Sequence, residues 1–210
     1  MNWKSFGLTS ATAASLVGYY KWKRMEQKAL GLDSTPMEFS TGQVQIGGPF
    51  TLTTHLNTEF QSDTNAAKKL QLIYFGFTHC PDVCPAEMEK ITKILHRLER
   101  NWPKVYADTI PLFVSCDPQR DTPKQLSQFL RDYHPKVLGL TGTLEQVKAV
   151  AKQFRVFFSV NPIANSPDDY LVDHTTIIYL MDKQGKFVKH FGRNSSIEEC
   201  VEDIVGAWKR

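Results

Sequence analysis

The sequence predicts an α/β domain preceded by a single N-terminal transmembrane helix. Three observations carry this. Buried-strand and helical hydrophobic patterns alternate along most of the chain, a hairpin pattern and a helix close it, and the first residues differ in kind from the rest. A length of 210 residues suits one ordinary globular domain plus extras. The net charge of +3 is spread over mixed signs. No basic run is interleaved with aromatics, so no nucleic acid is expected as a partner. The four cysteines are too few to act as a disulfide scaffold for a chain of this size.

The N-terminal span is residues 5–20, SFGLTSATAASLVGYY, sixteen uncharged residues between Lys4 and Lys21. As helix it reaches about 24 Å, against a hydrocarbon core of about 30 Å. Trp3, Tyr19, Tyr20 and Trp22 at its ends, with snorkelling lysines, supply the rest. A cleaved signal peptide is the rival reading. Its small residues precede the Leu-Val part, however, and KWKRMEQK follows with no clear cleavage site. We therefore expect an anchor at residues 1–24, a tether at 25–42 and the folded domain at 43–210.

Within the domain, Gly47-Gly48-Pro49 predicts a turn and Phe50–Thr54 a short alternating strand. Asn57–Lys69 is polar and gives no clear element. Leu70–Phe77, nearly all apolar, predicts a strand buried on both faces. A helix follows with Cys84 at its cap, Pro85 first, and Glu87 and Glu89 in the first turn; it ends before Pro103. Ile110–Cys116 reads as a second strand, and Asp121-Thr122-Pro123 opens a helix to about Tyr133. Thr143–Phe154 is helical, Val156–Val160 a short strand and Asn161–Asp169 a loop. The β-branched Thr175–Met181 turns through Asp182–Gly185 into Phe187–Phe191. Ser195 or Ser196 caps a last helix with the stripe Ile197, Val201, Ile204, Val205 and Trp208. This order is the thioredoxin-like arrangement with extra N-terminal strands.

Cys80 and Cys84 fall between the end of a buried strand and the start of a helix, the edge where open α/β sheets place ligands. A helix N-terminus favours thiolate there, and soft thiolates suit Cu(I) and also bind Zn(II). His174 begins the expected strand Thr175–Met181. If that strand runs antiparallel beside Leu70–Phe77, His174 stands over the cysteine pair. Two thiolates and an imidazole give a trigonal site that Cu(I) accepts. Zn(II) would want a fourth ligand, which Asp173 or Asp117 could provide.

The run FGFTHCPDVCP, with DPQRDTP, GLTGT and DYLVDHTTIIYL after it and GGPFTLTTH before it, resembles the Sco family in motif identity and order. The match covers about Gly42 to the C-terminus. The resemblance implies a copper metallochaperone of the mitochondrial inner membrane, single-pass, with its soluble domain in the intermembrane space. It implies copper, as Cu(I) or Cu(II), held by Cys80, Cys84 and His174, taken from a small soluble copper chaperone and delivered to the binuclear copper centre of cytochrome c oxidase subunit II. It also implies thiol–disulfide exchange by Cys80 and Cys84 with that subunit's own cysteines. Association into a homo-oligomer stays open. Two features depart from this pattern. No Arg- and Ser-rich leader precedes the anchor, and the lysines and arginine after the span outnumber Lys4, which by charge alone keeps the domain on the matrix side.

Plainer readings stand beside these. Cys80 and Cys84 could form a structural disulfide, and His174 could be a satisfied strand-edge histidine. His79 is expected to point away from the site. Asp117 is either a positioning group near it or turn chemistry before Pro118. Asp121 reads as a helix cap, Cys116 as a buried thiol and Cys200 as core. A thioredoxin-like oxidoreductase is the alternative function. Against it as the sole role, three residues separate the cysteines, and Asp173-His174 stands where such enzymes carry a proline. A peroxidase would need an arginine beside Cys80, which the sequence does not identify.

Overall fold

The computed structural model describes residues 45–162 and 170–210. The expected anchor, tether and membrane contact at residues 5–20 lie outside these residues, as does most of the Asn161–Asp169 loop. Among the described residues no helix is long and apolar enough to cross a membrane.

The element order is β1 (Thr51–Thr54), β2 (Glu59–Gln61), α1 (Ser62–Asn65), β3 (Leu70–Gly76), α2 (Val83–Asn101), α3 (Pro103–Ala107), β4 (Thr109–Ser115), α4 (Pro123–Phe129), β5 (Leu138–Thr141), α5 (Leu144–Gln153), β6 (Phe158–Pro162), β7 (Tyr170–His174), β8 (Ile178–Met181), β9 (Phe187–Phe191) and α6 (Ile197–Trp208). Seven strands form one sheet in the order β2-β1-β5-β4-β3-β8-β9, and β6 and β7 form a separate antiparallel ribbon. β3 is central, parallel to β4 and antiparallel to β8. All seven of its residues are buried, as its apolar run requires.

Successive β3 side chains serve opposite faces of the sheet. Tyr74 turns toward α2, where its hydroxyl meets Cys84. Phe75 turns the other way, onto Phe154 beyond α5, with ring centroids 5.4 Å apart. α2 buries Cys84, Met88, Ile91, Ile94, Leu95 and Leu98 at three- and four-residue spacing. Each fully buried side chain of that size stabilises the fold by about 1.5–3 kcal/mol before entropy is counted. α5 carries a capping box, with Thr143 Oγ1 accepting from the Gln146 amide and Gln146 Oε1 from the Thr143 amide. Ser196, not Ser195, caps α6 by accepting from the Glu199 amide.

Several expected boundaries move. The polar stretch after β1 holds β2, which pairs with β1 through Leu52 and Phe60, both buried. β5 falls inside GLTGT and neighbourhood, a segment too short to show a period, and it lies between β4 and β1. α2 starts at Val83 rather than Pro85, so Glu87 sits in the second turn, buried beside Lys90 at 3.6 Å. The strand expected at Val156–Val160 is β6, Phe158–Pro162. The strand expected at Thr175–Met181 pairs with the sheet only from Ile178. Thr175 instead belongs to the ribbon. Its amide donates to the Phe157 carbonyl at 3.1 Å, and its hydroxyl accepts from the Phe157 amide at 3.2 Å.

The β8–β9 turn is closed by Asp182, whose Oδ1 accepts from the Gln184 and Lys186 amides, both at 2.8 Å. Gly185 has φ +73°, a conformation that costs a side-chain-bearing residue about 1–2 kcal/mol. Gly185→Ala is expected to lower stability by about 1 kcal/mol, seen as a lower urea midpoint with an unchanged slope. An unchanged midpoint would show that the turn yields at no cost.

Candidate metal centre

Three donor atoms from three segments converge at the carboxyl end of β3. The sulfurs of Cys80 and Cys84 and an imidazole nitrogen of His174 all lie within 4.8 Å of one another. Cys80 comes from the loop after β3, Cys84 from the first turn of α2 and His174 from the last residue of β7. His174 therefore is the last residue of β7 and does not begin the sheet strand. Antiparallel pairing of β8 with β3, Ile178 opposite Tyr74, still carries the chain before β8 over the end of β3.

Local chemistry fixes each donor. The amides of a helix's first turn have no intrahelical partner. Asp82 precedes α2 but makes no side-chain cap. The Cys84 amide donates to Cys80 Sγ at 3.4 Å instead, so a sulfur of the cluster does the work of a cap. Cys84 is fully buried, and its sulfur accepts from the Tyr74 hydroxyl at 3.5 Å. Gly76 makes room for it, since a Cβ there would stand 3.0 Å from that sulfur and 2.9 Å from the Phe113 ring. His174 Nδ1 lies 3.1 Å from the Thr175 carbonyl, which only accepts, so Nδ1 carries the hydrogen. Nε2 lies on the side of the cluster, 3.3 Å from Cys84 Sγ. Orienting a ligand imidazole through its other nitrogen is the usual arrangement in metal sites. Phe77 and Tyr74 pack edge-on against the ring, at 5.7 and 6.1 Å.

The two sulfurs differ electrically. Hydrogen bonding from the Cys84 thiol, and then with His174 and the amides of Cys84 and Asp82, outweighs burial and holds Cys80 well below the usual thiol range, at about 3. Cys84 is pushed far up, first by giving its hydrogen to Cys80 and then by burial. The pair therefore carries one negative charge, on its more exposed member. Such an S₂N set suits a soft monovalent ion. Among the described residues no carboxylate joins the cluster to complete a zinc site.

The other candidates sort by contact. The Asp117 carboxylate is buried against Arg120 Nε at 2.5 Å, and its amide donates to Ser115 Oγ at 3.0 Å. Asp173 pairs with Ser159 through the backbone of the ribbon, and its side chain lies outside the described part. His79 is half-exposed, with Nδ1 3.1 Å from its neighbour Thr78's hydroxyl and 3.7 Å from Asp121. Cys116 and Cys200 are buried and apart from the cluster, and burial raises both thiols, Cys200 to about 11.

Asp121 is not a helix cap. Thr122 caps α4 by accepting from the Gln125 amide. Asp121 is fully buried and accepts from the Thr78 amide at 3.1 Å, the Thr78 hydroxyl at 2.6 Å and the Ser115 hydroxyl at 2.7 Å. It ties the segment two residues before Cys80 to the end of β4. Sequence reasoning also missed Tyr74 and Gly76. A tyrosine in a buried, nearly all-apolar strand, and a glycine at its end, are the available signals.

A second group, His96, Glu99 and His134, also comes together. There His134 Nδ1 accepts from the Lys136 amide at 3.1 Å, so Nε2 keeps the hydrogen and faces Glu99 at 3.9 Å. That tautomer offers no lone pair to a metal.

Because Cys80 is already ionised, its alkylation by iodoacetamide is expected to stay fast from pH 8 down to about pH 5. In Cys84→Ala the donor is gone, the Cys80 pKa rises, and the rate should fall with pH through the ordinary thiol range near about 8.5. Equal pH profiles for the two proteins would contradict the shared-proton arrangement.

The SCO1/SenC family model matches residues 39–209. The chain is 39% identical to the protein sco1 of Schizosaccharomyces pombe over 199 residues, 94% of this chain and 73% of that protein. It is 39% identical to the mitochondrial SCO1 homolog of Homo sapiens over 205 residues, 98% of this chain and 66% of that protein. Among solved structures, yeast Sco1 with copper bound superposes with a TM-score of 0.72 at 43% identity, covering 79% of this chain and 89% of that one. With the fold, the motif positions and these similarities together, the chain belongs to the SCO1/SenC family.

Proposed function

We propose that this chain is a copper metallochaperone acting in cytochrome c oxidase assembly. It carries copper on Cys80, Cys84 and His174 and delivers it to the binuclear copper centre of subunit II. The observation that carries this reading is the S₂N cluster itself, three donors within 4.8 Å, in a chain that is 43% identical to a Sco1 solved with copper bound. Cu(I) accepts trigonal S₂N coordination, and the sulfur of Cys80, which is only half-buried, allows ligand exchange with another thiolate site. Copper would arrive by the same exchange from a small soluble chaperone.

Mitochondrial relatives support a mitochondrial setting. In this reading residues 1–24 anchor the chain in the inner membrane, residues 25–42 tether it, and the domain from 43 to 210 works in the intermembrane space.

The contrast between the two sulfurs also favours thiol–disulfide exchange at the same site. The Cys80 thiolate attacks one sulfur of a partner disulfide, forming a mixed disulfide and expelling the other sulfur as thiolate. Cys84 then gives up its proton and attacks the Cys80 sulfur, releasing the partner's second thiolate. The pair is oxidised by two electrons and the partner's cysteines are reduced by two. The domain would thereby prepare its target's cysteines to receive copper.

Anaerobic Cu(I) loading of the full chain against a competing chelator tests the carrier role. About one copper per chain is expected, with affinity weakened more than about tenfold in Cys80→Ala, Cys84→Ala and His174→Ala. No retention of copper, with a readily cycled Cys80–Cys84 disulfide, would leave the oxidoreductase as the function.

A further inference from the structure

A basic, apolar-floored hollow lies beside the ribbon that carries His174. Lys148, Lys152 and Arg155 follow one another at four- and three-residue spacing along the exposed side of α5 and just past its end. With Val156, Phe157 and Phe158 they line a cavity of about 340 Å³. Phe157 is 85% exposed, the most exposed large apolar side chain among the described residues. Among the described residues, none of the three cations takes part in an ion pair. Like charges one turn apart oppose helix formation, so the fold alone gives no reason for this stripe. Arg155 itself, at φ +55°, ends the helix in the usual left-handed turn, with its amide on the Lys152 carbonyl and the Val156 amide on the Ala151 carbonyl.

The hollow is wired to the metal centre through the backbone. Phe158 pairs with His174 in the ribbon. Phe157 exchanges hydrogen bonds with Thr175, and the Thr175 carbonyl accepts from His174 Nδ1. A molecule seated against Phe157 therefore touches the residue whose backbone pairs with the neighbour of the cluster's histidine.

We propose that this hollow is the docking site for the protein that exchanges copper with the chain, and that it receives an acidic segment carrying one aromatic or aliphatic anchor. The inference rests on the copper-transfer reading and names the partner's recognition chemistry. Charge complementarity selects the occupant. Three cations with no ion pair among the described residues, around an apolar floor, match carboxylates flanking a buried side chain, the combination that centres protein interfaces on aromatic and arginine residues. A flat lipid surface would not fill the concavity. Docking here holds the partner's thiolates beside Cys80 and Cys84 while leaving the ligands free.

The test uses the copper-free full chain, isotopically labelled, and a short synthetic peptide of Asp and Glu around one central Phe. Amide shifts are expected at Lys148, Lys152, Arg155 and Phe157, with binding weakened about tenfold by Phe157→Ala or by Arg155→Glu. A peptide with Asn and Gln in place of the acids should bind more weakly by a similar factor. Shifts scattered elsewhere, equal binding of the neutral peptide, or insensitivity to both variants would overturn the proposal. So would broadening at Phe157 by anionic phospholipid vesicles with no response to the acidic peptide, which would assign the patch to the membrane surface. Copper affinity of the same variants is measured separately and should be unchanged. Failure of peptide docking with copper binding intact would sink only this inference, whereas loss of copper binding by the wild-type chain would sink the carrier reading.

Discussion

The contact on which the rest depends is the burial of the Cys84 sulfur beneath the end of β3. That one atom touches Tyr74 from the central strand and His174 from the ribbon, and its residue's own amide reaches back to Cys80. Sheet, helix and ribbon meet there, and each supplies something the others cannot. β3 gives an apolar floor and, at Gly76, the space for a sulfur. α2 gives the amide that turns Cys80 inward. The ribbon gives an imidazole whose free nitrogen is already aimed. Little remains to be ordered when a metal arrives, which is how a preformed site gains affinity without further contacts.

The loop between β3 and α2 is short of regular structure, so something must hold it. Asp121 does this from the next crossover. A fully buried carboxylate is costly, and burial raises its pKa. Three donors from Thr78 and Ser115 offset that cost, since hydrogen bonds to a charged group contribute roughly 1.5–3 kcal/mol each. Two fully ionised sulfurs held this close and this deep would repel one another. Sharing one proton avoids that until a cation replaces it.

Much of this was legible in the sequence, and the rest was lost for physical reasons. β3 is clear because a strand buried on both faces is nearly all apolar, and α2 because its buried stripe from Cys84 to Leu98 runs for about four turns. The cysteine pair declared itself by its place between them. His174 was located correctly in space but in the wrong element. The β-branched run TTII has strand composition whether or not it pairs, and only the Phe157–Thr175 hydrogen bonds decide that its first residues leave the sheet. β2 and β5 are too short for a period to show. Asp121 was read locally, as a cap before Pro123, when its partners are forty-three and six residues away. Long-range hydrogen bonds of this kind leave no local pattern.

Copper held by Cys80, Cys84 and His174 alone would be three-coordinate. X-ray absorption at the copper edge of the Cu(I)-loaded full chain reads this directly. The account predicts two sulfur and one nitrogen scatterers, with the nitrogen lost in His174→Ala and both sulfurs kept. A nitrogen shell that survives His174→Ala, or a fourth ligand in the wild-type chain, would contradict it.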